Sequence, residues 1–271
     1  MTLTNAHIPV DGEFKNDGHT LKFSPFVNNE DITLCGGPLG NETYLFGQFH
    51  LHWGSEGNKG SEHTLDGKQH SAEIHFVWYN QKYGNLSNAV SQGAAQGDPG
   101  ALTVIGVFLD IDDDSLDTDW FAPIEEAARE IANVDDPDEQ KDAYKTATLK
   151  LGDLNKVLPD YKGFYHYQGS LTTPDCHEIV NWIVLKNVRY VRSSQLEALR
   201  CLVFWTECIK APMEDNFRSP MDLPMGSKED REVVEFTQPP YIVCTCQVGD
   251  TGAMFNLTPG FPYHTTLDML E

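Results

Sequence analysis

The chain has 271 residues, 40% of them apolar, with 22 Gly and 15 Pro; this composition excludes fibrous and intrinsically disordered classes. Its 41 acidic and 19 basic residues leave a formal charge of −22, which repels phosphate backbones and excludes nucleic acid and anionic membrane surfaces as partners. No apolar run reaches the roughly 20 residues of a membrane helix, and no charged-then-apolar leader follows Met1, so no transmembrane segment and no signal peptide are expected.

In chain order, the first strong strand signal is "YLFGQFHLHW" (44–53), followed by "HSAEIHFVWY" (70–79) and "LTVIGVFLDI" (102–111). All are rich in β-branched and aromatic residues and separated by turn chemistry. An acidic excursion then occupies 110–142, where ten Asp and four Glu meet two basic residues. Within it, "DIDDDSLDTDWF" has the density of a calcium loop, but Ser115 stands at the turn-glycine position and Phe121 at the twelfth-position glutamate. It therefore reads as a solvated acidic loop. "PIEEAAREIAN" (123–133) reads as a helix opened by Pro123, with Ile124, Ala127, Ala128 and Ile131 on one face. "HEIVNWIVLK" (177–186) is a strand, "SSQLEALRCL" (193–202) a short helix with Ser194 and Glu197 spaced as a capping box, and "YIVCTCQV" (241–248) a last strand.

Six cysteines (35, 176, 201, 208, 244 and 246) form no C-x-x-C pair, which argues against a structural zinc ribbon. Sequons at Asn41, Asn85 and Asn256 permit an extracellular setting. There is no repeat, low-complexity tract or linker, so residues 1–271 read as one β-dominated domain.

His50 and His52 raise a chemical question. In a strand, residues i and i+2 face the same way, so both imidazoles converge on one spot. If 44–53 and 70–79 are neighbouring strands, His75 faces the same spot. Three neutral imidazoles without a fourth protein ligand form the open site expected of catalytic zinc. Gln48 shares the facing of His50 and His52, and Glu73 that of His75. Both are acceptors suited to holding the second ring N–H of a ligand. A cupin-type barrel is the rival reading, with Glu56 following His52 at the right distance; Tyr44 and His63 stand where its framing glycines belong.

"NDGH" (16–19), "GGPLGNETY" (36–44), "QFHLHWGSEGNKGSEHTLDGKQHSAEIHFVWYN" (48–80), "ALTVIGVFL" (101–109), "YQGSLTTPDCHEIVNWIVL" (167–185) and "DNFR" (215–218) occur in this order. Together they resemble the α-class carbonic anhydrases. The resemblance implies an α+β fold around a large, twisted, mostly antiparallel central sheet with a few short peripheral helices. It also implies one catalytic Zn2+ and reversible hydration of carbon dioxide to bicarbonate and a proton by a zinc-bound hydroxide.

By the same resemblance, the ligands are His50, His52 and His75, with Gln48 and Glu73 behind them. Thr172 and Glu62 orient the hydroxide: an ionised Glu62 only accepts, so a Thr172 that donates to it must accept from the hydroxide. The substrate site is Val77, Val104, Leu171, Val180 and Trp182, with Thr173 beside Thr172. His19 is the proton shuttle, His63 and Tyr167 a buried cluster, and Arg218 a loop ion-pair residue. Sulfonamide-type inhibitors are expected to bind; protein partners are not legible.

Some positions depart from the family pattern. Only "MTLTNAHIPVDGEFK" precedes Asn16, where the family carries a few dozen residues with an aromatic cluster and a Q-S-P segment, so a fragment, a shorter isoform or a fold lacking one edge is expected. Cys176 stands where secreted members place half of a disulfide, without its usual partner. Asp175 replaces a frequent proline, Ser219 is inserted in "FRSP", and Lys22 near the rim would favour a neutral His19. The sequons and Cys176 lean toward an extracellular location, with a cytoplasmic one as the alternative. A catalytically weak carbonic anhydrase-like binding or acidic matrix module is the alternative function.

Overall fold

The computed structural model describes residues 1–26, 29–133, 144–150, 163–206, 209–218 and 234–237. Its strands run β1 (Thr2–Thr4), β2 (Pro9–Asn16), β3 (Leu21–Pro25), β4 (Asn29–Cys35), β5 (Thr43–Trp53), β6 (Ala72–Asn80) and β7 (Leu102–Ile111). They continue as β8 (Tyr144–Lys150), β9 (Gly163–Gly169), β10 (Val180–Val191), β11 (Val203–Thr206), β12 (Ile209–Pro212) and β13 (Val234–Thr237). The helices are α1 (Leu86–Gln96), α2 (Ala122–Ala132) and α3 (Ser193–Arg200).

One large sheet has the order β13-β9-β10-β7-β6-β5-β3-β2-β8, with β1 and β4 joined beside β5. Every pairing in it is antiparallel except β7 with β10. A parallel pair needs a long crossover, and here the connection runs through α2, β8 and β9. The fold is thus the β-dominated α+β architecture the sequence implies. The lead-in ahead of Asn16 is itself used: β1 pairs with β4, and β2 lies between β3 and β8. No helix of the described residues is long and apolar enough to cross a membrane.

Two apolar layers sandwich the central strands. Phe49, Leu51, Trp53, Ile74, Phe76, Ile105 and Val107 pack on one face together with the buried stripe of α2, Ile124, Ala127, Ala128 and Ile131. Val77, Val104, Phe108, Val180 and Trp182 form the other layer. Every residue of β6 is buried, which is why its sequence is apolar on both parities. The register slips at Gly47, between the pairs Phe46–Trp78 and Gln48–Val77. This bulge changes the facing of the strand, so Phe46 stays in the first layer while Gln48 falls on the face of His50.

Two points of the sequence reading are revised. α1 was not anticipated, because its buried face is only Ala89 and Gly93; its ends carry signals nonetheless, since the Asn85 side chain accepts from the Asn88 N–H at 2.8 Å and Gly97 is left-handed at φ 61°. The box of α3 uses Gln195, whose Oε1 accepts from the Arg192 N–H at 2.9 Å, so Ser194 and Glu197 are not its members. The acidic loop is solvated as expected, with Asp113, Asp114, Asp117 and Asp119 exposed, and several of the excursion's side chains also pin it to the fold. Asp113 Oδ1 accepts from the Ser193 N–H at 2.8 Å, Asp117 pairs with Arg189 at 2.6 Å, and Lys145 bridges Glu126 and Glu130.

Cys35 is disulfide-bonded, while Cys176 and Cys201 are free thiols. The expected strand at 241–248, the Asn256 sequon and Ser219 lie outside the described residues.

Candidate metal centre

β5 and β6 build the centre through their register. His50 lies directly opposite His75 and His52 opposite Glu73, so all four side chains share a face, as parity predicts. Ring centroids are 5.1 Å apart for His50–His52, 5.2 Å for His50–His75 and 4.7 Å for His52–His75. The three imidazoles can each offer a nitrogen such that all three atoms lie within 4.8 Å of one another.

Each ring is held by its other nitrogen. Gln48 Oε1 is 3.0 Å from His50 Nδ1, the Asn216 carbonyl oxygen 2.9 Å from His52 Nδ1, and Glu73 Oε1 2.8 Å from His75 Nε2. A carbonyl or an ionised carboxylate only accepts, so these contacts place the ring proton and fix the tautomer. What remains are Nε2 of His50, Nε2 of His52 and Nδ1 of His75. The last two are buried and have no hydrogen-bond partner. Orphaned buried acceptors are costly, and their convergence fits a metal ion bound by nitrogen. Zn2+ suits three imidazoles with an open fourth position.

The electrostatics suit this. Burial, reinforced by His52, His75 and Lys22, holds His50 well below the usual imidazole range. Burial also lowers His75, against the opposing pull of Glu73. Both rings are therefore ready as neutral ligands. Burial alone would raise Glu73, but His63 and His75 hold it well below the usual carboxylate range.

Glu73 is the hub of the buried layer beneath the ligands. Its Oε1 also takes His63 Nδ1 at 2.7 Å, and its Oε2 accepts the backbone N–H groups of Glu62 and His63 at 3.0 and 2.9 Å. His63 Nε2 in turn lies 2.6 Å from the Tyr167 hydroxyl, giving the buried cluster expected of His63 and Tyr167. The Trp182 ring stands 4.8 Å from both His63 and His75. With Val77, Val104 and Val180 it forms a wall on which the partly buried Leu171 packs.

The remaining positions are less tightly joined. Glu62 is buried; its Oε1 accepts the Arg218 N–H at 2.9 Å, and its Oε2 has no hydrogen-bond partner and lies 3.9 Å from His75 Nδ1. No hydrogen bond links Glu62 to Thr172 among the described residues. Thr172 is half-buried and Thr173 exposed, on a loop that turns through left-handed Asp175 and Cys176 at φ 79° and 45°. Proline cannot adopt the φ that Asp175 takes here. Arg218 reaches Glu62 through its backbone N–H.

His19 is exposed at the end of a turn in which Asp17 Oδ1 accepts the His19 and Thr20 N–H groups at 3.1 and 3.0 Å. Its ring meets Phe204 edge-on at 6.4 Å. Lys22 pairs with Asp17 at 2.9 Å. Glu56, the ligand of the barrel alternative, is exposed, forms an isolated bridge with Lys59 and does not join the cluster.

Asn216 lies outside the sequence expectations, which take only Arg218 from "DNFR". The Asn216 side chain also accepts the Trp53 N–H at 2.7 Å and donates to the carbonyls of His19 and Leu51 at 3.0 and 3.2 Å.

Comparison with known proteins agrees with this geometry. The profile of the eukaryotic-type carbonic anhydrase family matches residues 1–234. A putative carbonic anhydrase 3 of Caenorhabditis elegans is 30% identical over 234 residues, covering 86% of this chain and 81% of that protein. Carbonic anhydrase 3 of Equus caballus and of Homo sapiens are 34% and 35% identical over 209 residues, covering 77% of this chain and 73% of each relative. With a family profile spanning most of its length and relatives above 30% identity, the chain belongs to the eukaryotic-type carbonic anhydrase family.

Proposed function

We propose that the protein is a zinc-dependent lyase that interconverts carbon dioxide with bicarbonate and a proton. The observation that carries this is the convergence of His50, His52 and His75, each ring held by an acceptor and two of the three inward nitrogens buried without partners. His50, His52 and His75 would hold the zinc ion, which would supply a nucleophile near neutral pH by acidifying water, an effect of which carbonic anhydrase is itself the standard example.

The chain's own residues do the rest. Gln48, Glu73 and the Asn216 carbonyl orient the ligand rings and keep their inward nitrogens deprotonated. Val77, Val104, Leu171, Val180 and Trp182 offer carbon dioxide, which is small, uncharged and poorly hydrated, an apolar shelf beside the histidines. Glu62 Oε2 is the buried acceptor available to the Thr172 hydroxyl. A Thr172 that donates there is left to accept from the nucleophile's O–H, which aims a lone pair at the substrate; Thr173 flanks it. The proton released in each turnover leaves through His19, an exposed imidazole suited to exchange with buffer. An aromatic sulfonamide is expected to inhibit.

His75→Ala tests the ligand set. It is expected to lose zinc stoichiometry and carbon dioxide hydration together. A variant that keeps a full equivalent of zinc refutes the assignment.

A further inference from the structure

We propose that Gly106 is a positioning residue of the metal centre: by having no side chain, it leaves the space in which the Glu73 carboxylate reaches His75 and His63 at once. The inference rests on the ligand reading above and extends it to a strand outside the ligand pair.

Gly106 lies in the middle of β7, among residues that are otherwise buried and side-chain-bearing from Leu102 to Leu109. Glycine there costs about 0.5–1 kcal/mol relative to alanine, so its presence calls for a physical reason. Backbone conformation is not that reason, because Gly106 is not among the glycines with positive φ. Space is. Gly106 sits directly opposite His75 on one side and Val184 on the other. A Cβ at this position would lie 2.7 Å from Glu73 Oε1, 3.7 Å from Glu73 Cδ and 3.8 Å from His75 Cδ2. The first distance is shorter than any real Cβ contact; the last is ordinary van der Waals contact.

Glu73 has nowhere to retreat. It is fully buried, and its two oxygens are held by His63 Nδ1, His75 Nε2 and two backbone N–H groups at 2.7–3.0 Å. A methyl group on residue 106 pushes Oε1 off both rings. His75 then loses the acceptor that sets its tautomer, and the His63–Tyr167 contact loses its anchor. Glycine in a strand interior often marks close approach by another group; here that group is a carboxylate.

The test compares wild type, Gly106→Ala, Glu73→Asp and the double variant. Two readouts are used: zinc release into a chelator, and the proton NMR signals of the His63 and His75 ring N–H groups in metal-free protein. Gly106→Ala is expected to speed zinc release by about 10- to 100-fold, the usual effect of losing the partner behind a ligand, and to shift or abolish the His75 Nε2–H signal. In the Glu73→Asp background, where the shorter carboxylate clears the methyl group, Gly106→Ala is expected to add no more than about 2-fold. Equal zinc release and unchanged ring N–H signals in Gly106→Ala overturn the proposal. If Gly106→Ala does not fold, recovery of folded protein in the double variant supports it and failure of both overturns it. A wild type that binds no zinc refutes the ligand reading alone, because the NMR readout still decides the role of Gly106.

Discussion

The carbonyl oxygen of Asn216 lies 2.9 Å from His52 Nδ1, joining a metal-facing histidine of β5 to a segment 164 residues away. The same residue's side-chain amide clamps Trp53, Leu51 and the carbonyl of His19. The backbone acceptor survives any substitution; the clamp does not. Asn216→Ala is therefore expected to lower stability by about 1–3 kcal/mol, the cost of leaving a buried hydrogen-bonding group unmet, and to speed zinc release. Urea unfolding and chelator competition measure both. No change in either would show that the amide contacts are incidental.

Glu73 and Gln48 hold two ligands in unlike settings, and their variants are expected to differ. Glu73 is buried, held ionised and bound to four donors, whereas Gln48 is a half-exposed neutral amide behind His50. Glu73→Gln gives up one acceptor oxygen for an NH2 group that faces donors. It should cost about 10- to 100-fold in zinc affinity, and Gln48→Ala measurably less. Competition with a calibrated chelator ranks them; the reverse order contradicts the picture of Glu73 as the hub.

His19→Ala tests the proposed proton path. In weak buffer it is expected to slow hydration by on the order of 10²-fold, the low end of what a positioned acid–base group contributes. Added imidazole should restore the rate without changing zinc content. A rate insensitive to both the substitution and imidazole would remove His19 from the mechanism.

The site was legible where its logic is local. Period-two facing places Gln48, His50, His52, Glu73 and His75 together once two strands are paired, and the register obeys it. Features set by distant partners were not legible in this way. Nothing near His52 in the sequence points to Asn216, and nothing near Gly106 points to Glu73, because both contacts exist only after the sheet has formed. α1 escaped for another reason: a helix that buries only Ala89 and Gly93 leaves almost no apolar period to read. The Ser194–Glu197 spacing misled because a box two residues earlier, with Gln195 as its acceptor, lacks the usual Ser or Thr cap. Glu62 and Thr172 are paired by resemblance alone, and the loop between Thr172 and His177 turns through left-handed Asp175 and Cys176.

Asp98, just past the end of α1, is held by Lys82 and Tyr83 in the turn that follows β6. Burial would raise its pKa from the ordinary 3.8, but hydrogen bonds from Lys82, Tyr83 and the Gly100 N–H lower it. Its folded pKa lies below the unfolded one, so its contribution is present above the unfolded value and is lost as pH falls through the folded value. Asp98→Asn should lower the urea midpoint at pH 6 and flatten the decline of stability below about pH 4. Parallel acid profiles for variant and wild type would contradict this.

The most direct test of the whole account is a stopped-flow titration of carbon dioxide hydration against zinc added to the metal-free chain. The account predicts a rate that rises in proportion to zinc, saturates at one equivalent and is abolished by an aromatic sulfonamide. A full equivalent of bound zinc with no hydration would contradict it, and would leave the three histidines as a metal site without the lyase chemistry.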